Sequence, residues 1–528
     1  MPVWQRELPA LPVALLLFHV LTPAHGDLPV HCLRHQLVGD WEFHLGPPGP
    51  HRSSCGHSAP DNEDLQPEIA LSQVYDRKEV SLRSPNLAQT PADSSGRWTM
   101  IYDEGLEVNV DGLSFLAFSR YDLSHENGVK TNVSRCGETQ LGWYHSDDRS
   151  SWGCFYGKKR TQLHERAVAG FLSYVPGWSA KTPEYDAPLD EDFHRTFAAN
   201  LNLIQDAWTA RGHDRLFGKS LREMNHMAGI ARPFSMSEQR KEEGRSSFSF
   251  LQQGSRSATA TRRSLRRGID SSGSLGEGEL PRSWDWRNIS NVNYLDDVME
   301  QGDCGSCYAV ATTRMLSARH RFRTGNPYAE AFSITFPLLC SEYNQGCNGG
   351  YAFLVSRWSQ DVGLVPESCG KYSTGLGRCQ LSCSIQGLER RYRAENHHYV
   401  GGYYGAASEL QMMHELVSSG PLVASFEPQT DFMYYSSGIY SSTPSQRAEW
   451  ERVDHAVLLV GYGEEEGKKY WLLQNSWGPE WGENGFFRMA RGSDESGIES
   501  IVVGADVVED SGPSSLLEFA GAVTSGER

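Results

Sequence analysis

The sequence has too little positive charge to suit one large class of partners. Its 528 residues include 49 lysines and arginines against 66 aspartates and glutamates, a formal net charge of −17. The phosphates of nucleic acids repel such a chain, so we exclude DNA and RNA as partners. The same balance suits an acidic compartment, where protonation of carboxylates reduces the repulsion within the protein.

Long apolar runs are also missing, apart from one near the start of the chain. That run, Leu11 to Leu21, follows Arg6 and is too short to span a bilayer. The small residues Ala24 and Gly26 come next, which predicts a secretory signal peptide over residues 1–26. An uncleaved anchor is the alternative. No later run approaches about 18 apolar residues, so we expect no membrane span after signal removal.

The cysteines cannot all be paired with one another, because the chain has 11 of them. Exported proteins form disulfides, and an odd cysteine there is either an intermolecular link or a reactive thiol. A group of four followed by a group of seven predicts two bridges, then three bridges and one thiol. Spacing alone does not set the pairing. Two sequons, at Asn132 and Asn288, agree with export and glycosylation.

Residues 27–160 alternate apolar and polar side chains in the manner of β-strands. Trp41, Phe43 and Leu45 show this period of two, and the pair Asp111-Gly112 supplies a hairpin turn between two further alternating runs. The pattern predicts an antiparallel, all-β domain.

Residues 161–279 change character along their length. Apolar residues at steps of four, four, three and four predict one amphipathic helix, through Phe193, Phe197, Leu201, Ile204 and Trp208. Residues 235–279 lose this period and fill with Ser, Gly, Arg and Glu, which predicts a disordered, cleavable linker rather than a binding site for an acidic partner.

Residues 280–508 combine a helical front half with a strand-rich back half. A helix is predicted just after Cys307, and the later runs HAVLLVGYG, KKYWLLQNSWG, NGFFRMARG and IESIVVGA read as strands. This order predicts an α+β domain of two lobes, with the site in the cleft between them.

A reactive cysteine is predicted in the run QGDCGSCYA, residues 301–309. The thiolate is the nucleophile of such a residue, and both a helix N-terminus and a neighbouring imidazolium favour it. Cys307 has the predicted helix directly behind it. His455 lies about 150 residues downstream, the separation typical of one class of cysteine peptidases.

Residues that would support this pair are also present. Asn475 can accept the second N–H of the His455 ring, and Trp477 can shield that contact from water. Gln301 can donate to the oxygen that becomes negative during attack, with the Cys307 N–H as second donor. Each residue alone also fits a structural role, as a packed thiol, a core histidine or a tight turn. Their combination and order favour catalysis.

Residues 280–508 resemble the papain-like cysteine peptidases, through the runs QGDCGSCYA, CNGG at 347–350, DHAVLLVGYG and QNSWGPEWGENGFFR. The resemblance implies four catalytic residues: the nucleophile Cys307, the acid–base His455, the orienting Asn475 and the oxyanion donor Gln301. It also implies substrate contacts at Gly349, Gly350 and Trp477, and no metal.

The order of domains resembles one branch, the cathepsin C or dipeptidyl peptidase I family, over nearly the whole mature chain. The matching runs are DLPVHC, LVGDWEFHLG, SSWGCFYGKK, QDAWTA, PRSWDWRN and HHYVGGYYG. In that family the β domain is an exclusion domain that blocks the cleft beyond two substrate residues. Its N-terminal aspartate meets the substrate's free amine, and Asp27 holds that place here.

This resemblance implies further bonds and ligands. The implied disulfides are Cys32–Cys136, Cys55–Cys154, Cys304–Cys347, Cys340–Cys379 and Cys369–Cys383. The implied chloride ion is bound by the Tyr399 hydroxyl and the backbone N–H groups of Tyr351 and Phe353, although a tyrosine is usual where Phe353 stands.

It also implies a homotetramer of chains processed by activating proteases. A cut between heavy and light chains is expected within about 441–453, where Arg447 and Arg452 are candidate sites.

The sequence thus predicts a papain-like catalytic domain, with a helical lobe and a β-barrel-like lobe, preceded by an all-β exclusion domain and a partly helical propeptide. A flexible tail, 509–528, follows. We expect a zymogen of the secretory pathway, in a lysosome or similar vesicle or secreted. Its activity would remove dipeptides from the free N-termini of peptides and proteins. Two alternatives stay open: an endopeptidase that has lost the β domain, and a non-catalytic papain-like binding scaffold.

Overall fold

The structure is a computed structural model that describes residues 30–62, 66–67, 71, 73–126, 129–160, 187–220, 223–224, 227, 230–231, 280–373, 379, 381, 383, 390–443 and 453–510. The predicted signal peptide, Asp27, the linker 235–279, Arg447 and Arg452 lie outside these residues, as does the tail beyond Asp510. Among the described helices, none is long and apolar enough to cross a membrane.

Residues 30–160 form the predicted all-β domain, here called the barrel. Its described elements are the short helix α1 (Arg34–Leu37) and the strands β1 (Gly39–Leu45), β2 (Asp76–Arg83), β3 (Leu87–Gln89), β4 (Ser95–Ile101), β5 (Gly105–Val110), β6 (Leu113–Glu126), β7 (Val129–Thr139), β8 (Gly142–Ser146) and β9 (Trp152–Lys159). Neighbours in sequence pair from β1 to β7, and β9 closes the barrel by pairing with both β7 and β1.

The sequence pattern explains this closure. Trp41 and Phe43 are buried in the barrel interior together with Phe115, as the alternation predicts. Asp111 and Gly112 form the predicted turn between β5 and β6, with φ of 56° and 70°. Such positive φ values are typical of tight hairpins, whose twist matches that of the strands.

Residues 187–231, the middle segment, contain the predicted helix in a shorter form. α2 (Glu191–Ile204) starts after Asp190, whose carboxylate accepts a hydrogen bond from the Phe193 N–H. The prediction that Trp208 belongs to the helix is wrong: it begins strand β10 (Trp208–Ala210) and pairs with Gly438. Inter-strand hydrogen bonds override the helical period here. A further strand, β11 (Ile230–Ala231), follows.

The buried face of α2 also differs from the predicted one. His194, Ala198 and Leu201 are buried, while Phe193 and Ile204 are exposed. The reason is a polar contact, because the His194 ring bonds the hydroxyl of Tyr434 and thereby sets the rotation of the helix.

Residues 280–510, the C-terminal domain, have the predicted α+β architecture. The helices are α3 (Cys307–Thr324), α4 (Thr335–Cys340), α5 (Ala352–Asp361) and α6 (Glu409–Ser419). The strands are β12 (Trp284–Asp285), β13 (Tyr392–Tyr399), β14 (Leu422–Phe426), β15 (Tyr435–Tyr440), β16 (Val453–Glu465), β17 (Lys468–Gln474), β18 (Phe486–Ala490) and β19 (Ile501–Glu509). The main sheet has the order β10-β15-β18-β17-β16-β14-β19-β13, and α3 packs against β14, β16 and β19 where the two lobes meet.

Five disulfides confirm the pairing that the resemblance implied. They are Cys32–Cys136, Cys55–Cys154, Cys304–Cys347, Cys340–Cys379 and Cys369–Cys383. Cys307 belongs to none of them and keeps its thiol.

The barrel docks on the C-terminal domain through buried polar groups. Arg357 of α5 donates to His145 of the barrel at 2.7 Å and pairs with Asp361 on its own helix at 3.0 Å. His397 of β13 meets Glu107 of β5 at 2.9 Å. The side chains of these groups are nearly inaccessible to water, so the contact between the domains requires that each of them has a hydrogen-bond partner.

Candidate active site

Cys307 is the first residue of α3 and lies almost fully buried between the lobes. The first N–H groups of a helix have no acceptor within it, and their partial positive charge favours an anion. The thiol is therefore placed where its thiolate is stabilised, as the sequence predicts. The neighbouring Cys304–Cys347 disulfide ties the preceding turn to the CNGG loop.

His455 and Asn475 form the predicted hydrogen bond. The Nε2 atom of His455, on β16, lies 2.7 Å from Oδ1 of Asn475, directly after β17. Asn475 Oδ1 also accepts from the Ser476 N–H at 2.8 Å, which identifies it as the amide oxygen and Nε2 as the donor. Proton exchange by the His455 ring is then assigned to its other nitrogen, Nδ1. Trp477 lies against the ring, with centroids 4.7 Å apart.

Cys307 and His455 line one small cavity. Gly350 contributes to its wall, and a Cβ there would lie 2.4 Å from Asn344 Oδ1, so only glycine fits. Gly349 precedes it with a φ of 134°, which favours glycine as well. Of the two predicted substrate-binding glycines, Gly350 thus lies in the cavity wall, where the close contacts require a glycine.

Gln301 is fully buried, and its amide already makes hydrogen bonds within the protein. Its Nε2 donates to the backbone oxygens of Met227 at 3.1 Å and Cys304 at 2.8 Å. Its Oε1 accepts from the Ser476 hydroxyl, which fixes the orientation of the amide. Trp477 Nε1 donates to the same Met227 oxygen at 3.1 Å. Met227 of the middle segment therefore accepts a hydrogen bond from the Gln301 amide, the predicted oxyanion donor.

The barrel contributes one side chain to the cavity. Tyr102, in the turn between β4 and β5, lines it together with Ser425 of β14 and Tyr351. Its ring stacks on that of Tyr351 with centroids 3.7 Å apart, and its hydroxyl lies 3.2 Å from that of Ser425. The sequence carries no signal for this role, because YDEG reads as an ordinary hairpin turn.

Asp27 lies outside the described residues, but its neighbourhood is described. His31, four residues later, bonds Asp103 at 2.9 Å, and the Cys32 N–H donates to the Asp103 carbonyl. Asp103 directly follows Tyr102. Four extended residues span at most about 14 Å.

The three predicted chloride donors lie in different surroundings. The Phe353 N–H lies in the first turn of α5, where N–H groups lack an acceptor within the helix. The ring of Tyr399, which is buried, stacks on that of Phe353 at 4.5 Å. The Tyr351 N–H instead donates to Asn344 Oδ1 at 2.8 Å, so the structure assigns this predicted donor another acceptor.

Comparisons with known proteins agree with this geometry. The model of the papain family cysteine proteases matches residues 280–505. Cathepsin B-like CP3 of Giardia intestinalis is 33% identical, over 44% of this chain and 76% of its own length. The chain belongs to the papain family of cysteine proteases.

The first domain narrows this assignment. The model of the cathepsin C exclusion domain matches residues 27–159. A protein named cathepsin C from Schistosoma mansoni is 29% identical, over 92% of this chain and 96% of its own length. Dipeptidyl aminopeptidase 1 of Plasmodium falciparum (isolate 3D7) is 23% identical, over 90% of this chain and 92% of its own length. The chain is therefore a cysteine peptidase that resembles cathepsin C in both domains.

Proposed function

We propose that this peptidase removes dipeptides from the free N-termini of peptides and proteins. The observation that carries the proposal is the position of Tyr102, because a barrel side chain in the wall of the Cys307 cavity limits the cleft on one side. A cleft limited in this way leaves room for few residues before the scissile bond. An endopeptidase needs the cleft open at both ends.

Asp27 would supply the specificity for a free amine. A carboxylate paired with an ammonium group is a charge-assisted contact, worth about 1.5–3 kcal/mol. An acetylated amine has no charge and is bulkier, so it would lose this contact. The bond from His31 to Asp103 places the described start of the chain next to Tyr102, which supports this role.

Each catalytic residue has a role in the reaction. His455 takes the thiol proton of Cys307, the thiolate attacks the carbonyl carbon of the second residue, and the carbonyl electron pair moves to oxygen, where Gln301 and the Cys307 N–H donate. His455 gives its proton to the leaving nitrogen as the C–N bond breaks, which leaves a thioester. A water molecule then gives a proton to His455 and adds to the thioester carbonyl. The C–S bond breaks and the dipeptide leaves.

The form described here would be the zymogen. As long as Met227 holds the Gln301 amide, that donor cannot serve an oxyanion. We therefore expect activation to require removal of the middle segment, by proteases that cut on both sides of it, on one side within the linker 235–279, with a further cut near Arg447 or Arg452. A tetramer of processed chains, residence in a lysosome or similar vesicle and export belong to the same proposal.

Chloride is proposed as a ligand with two protein donors, the Phe353 N–H and the Tyr399 hydroxyl. Beneath the substrate pocket it would help to position the aromatic wall formed by these residues. Replacing chloride by a larger, inert anion should then raise KM more than it lowers kcat.

The decisive experiment compares a fluorogenic dipeptide amide that has a free amine with its N-acetylated form. We expect kcat/KM at least about tenfold higher for the free amine, the effect of one charge-assisted contact. Cys307→Ser should abolish turnover of both while leaving the thermal unfolding transition unchanged. Faster turnover of the acetylated substrate would favour the endopeptidase alternative. Absence of any turnover, with no labelling of Cys307 by a thiol-directed epoxide, would favour the scaffold.

A further inference from the structure

We propose that Tyr102, acting with Ser425, determines which N-terminal side chain of the substrate is accepted. The inference rests on the proposed dipeptidyl peptidase function and assigns a specificity residue to the barrel. Small or hydroxyl-bearing side chains would be accepted, and bulky apolar ones rejected.

The cavity that opens at Cys307 has walls from both domains. The C-terminal domain contributes Tyr351, Ser425 and Ala456, and the barrel contributes Tyr102. If the scissile carbonyl lies at Cys307 and the amine points towards the barrel, the end near Tyr102 receives the side chain of the N-terminal residue. Tyr102 is thus the part of the barrel that this side chain meets.

Tyr102 is held rigidly at this position. Its φ of 50° is unfavourable for an aromatic residue and persists only where the surroundings impose it. The stack on Tyr351 imposes it from one side, and Glu104 accepts from the Tyr351 hydroxyl at 2.9 Å. The bond between His31 and Asp103 fixes the turn from the other side. The ring therefore cannot move aside for a larger substrate.

The hydroxyl pair makes this end of the cavity polar. Tyr102 Oη and Ser425 Oγ lie 3.2 Å apart, and either can donate, so a substrate hydroxyl can join the pair. A bulky apolar side chain would separate the two hydroxyls and break the hydrogen bond between them, which is unfavourable. The size and the polarity of this end of the cavity therefore favour the same substrates, those with a small or hydroxyl-bearing N-terminal side chain.

The wall is tested with Tyr102→Ala and free-amine dipeptide amides that differ only in an N-terminal Ala, Ser or Leu. We expect the ratio of kcat/KM for Leu over Ala to rise at least about tenfold, because a pocket enlarged by a side chain changes selectivity by that order. The matched control is Tyr403→Ala, whose ring also contacts the barrel, 4.9 Å from the Arg34 guanidinium, but does not line the cavity. Its ratio should remain that of the unmodified enzyme.

The hydroxyl pair is tested with Tyr102→Phe and Ser425→Ala, which keep the shape of the wall and serve even if Tyr102→Ala fails to fold. Each should lower the ratio for Ser over Ala about two- to tenfold, the value of one neutral hydrogen bond, and the double variant should lower it no further. A ratio measured on one enzyme preparation is insensitive to a loss of folded protein, so a merely structural role would leave it unchanged.

The outcomes also separate this inference from the proposed function. If the unmodified enzyme needs a free amine but both ratios stay constant in the variants, only the role of Tyr102 is overturned. If the unmodified enzyme turns over acetylated and free substrates equally, the dipeptidyl peptidase function fails, and the role of Tyr102 fails with it.

Discussion

Two parts of the chain approach the cleft from outside the C-terminal domain, and different chemistry holds them there. The barrel docks through buried ion pairs, in which Glu107 lies 3.4 Å from Arg357 and 2.9 Å from His397. The middle segment docks through buried histidines and through Arg215, which donates to the Trp477 carbonyl at 2.7 Å and pairs with Glu300 at 2.9 Å. The two sets of contacts respond differently to acid. Acidification is therefore expected to release one part and retain the other.

The ion pairs of the barrel interface persist in moderate acid. Burial raises the pKa of Glu107, but the charges of His397 and Arg357 outweigh burial and lower it from 4.5 to about 2. Asp361 shifts in the same direction, because Arg357 outweighs its burial as well. A lowered carboxyl pKa contributes stability above its ordinary value, which is lost as the pH falls from 4.5 towards 2. His145 of the barrel also accepts a hydrogen bond from Arg357, at 2.7 Å.

The middle segment has the opposite response. Burial lowers the pKa of His213 from 6.5 to about 4, and the nearby charges of Arg211 and Arg215 add to this. The neutral ring satisfies both neighbours: its Nδ1 accepts from Arg211 at 3.2 Å, and its Nε2 donates to the Tyr435 carbonyl at 2.8 Å. Burial lowers the pKa of His194 too. The two neutral histidines contribute fully to the stability of the docked segment above pH 6.5. This contribution is lost as the pH falls from 6.5 towards 4.

This difference in pH response indicates how acid can open the cleft on the side of the middle segment and leave the side of the barrel closed. At a pH near 5 the carboxylates of the barrel interface would still be charged, whereas the histidines of the middle segment would already favour release. The barrel would stay in place and keep Tyr102 in the cavity wall.

The largest expected effect is that of Arg357→Met. Removing one member of a buried ion pair leaves the other without compensation, at a cost of about 3–5 kcal/mol. We expect a lower unfolding temperature and, if the barrel detaches, new activity towards N-acetylated substrates. The control is Arg135→Met, an exposed barrel residue paired with Asp122, which should cost at most about 1 kcal/mol. An unfolding temperature equal to that of the control would show that the pair does not hold the barrel.

The second largest effect is expected in the way that release of the middle segment depends on pH. In the unprocessed chain, labelling of Cys307 by a thiol-directed epoxide, relative to the processed enzyme, should rise as the pH falls from 6.5 to about 4. His213→Gln can keep both hydrogen bonds without titrating, so it should remove much of that rise. The exposed His35→Gln serves as the control and should not alter the profile. A profile unchanged by His213→Gln would exclude this histidine as the cause.

The smallest effect is expected for Arg215→Met in the same segment. It removes hydrogen bonds to a carbonyl and a carboxylate while keeping the apolar stem, which should weaken docking by about 1.5–3 kcal/mol. Labelling of the unprocessed chain at neutral pH should increase about tenfold or more. Arg195→Met is the control, because its ion pair with Glu191 lies within α2. Equal labelling of the two variants would argue that Arg215 does not hold the segment.

Elements with a strong local pattern were predictable. The helix at Cys307, the strand of His455 and the hairpin at Asp111-Gly112 follow from periodicity and turn chemistry, and the structure has each of them. The helix near Phe193 was predictable in kind but not in its end or its buried face. Those depend on Gly438 and Tyr434, residues far away in the sequence.

The candidate site was predictable to the same extent. Motif order indicated Cys307, His455 and Asn475, and the last two lie in hydrogen-bond contact. The occupied amide of Gln301 and the Asn344 acceptor for Tyr351 were not predictable, because backbone hydrogen-bond partners are set by the folded loops.

By itself, the sequence determined the kind of chemistry: its motifs and periods bring a thiol to the start of a helix, a histidine to a strand and an asparagine after the next strand. Only the tertiary structure decided what surrounds them. The contacts Tyr102–Ser425, Arg357–His145 and Gln301–Met227 join residues of different parts of the chain. Such contacts arise when separate domains pack, so no local pattern of residues specifies them.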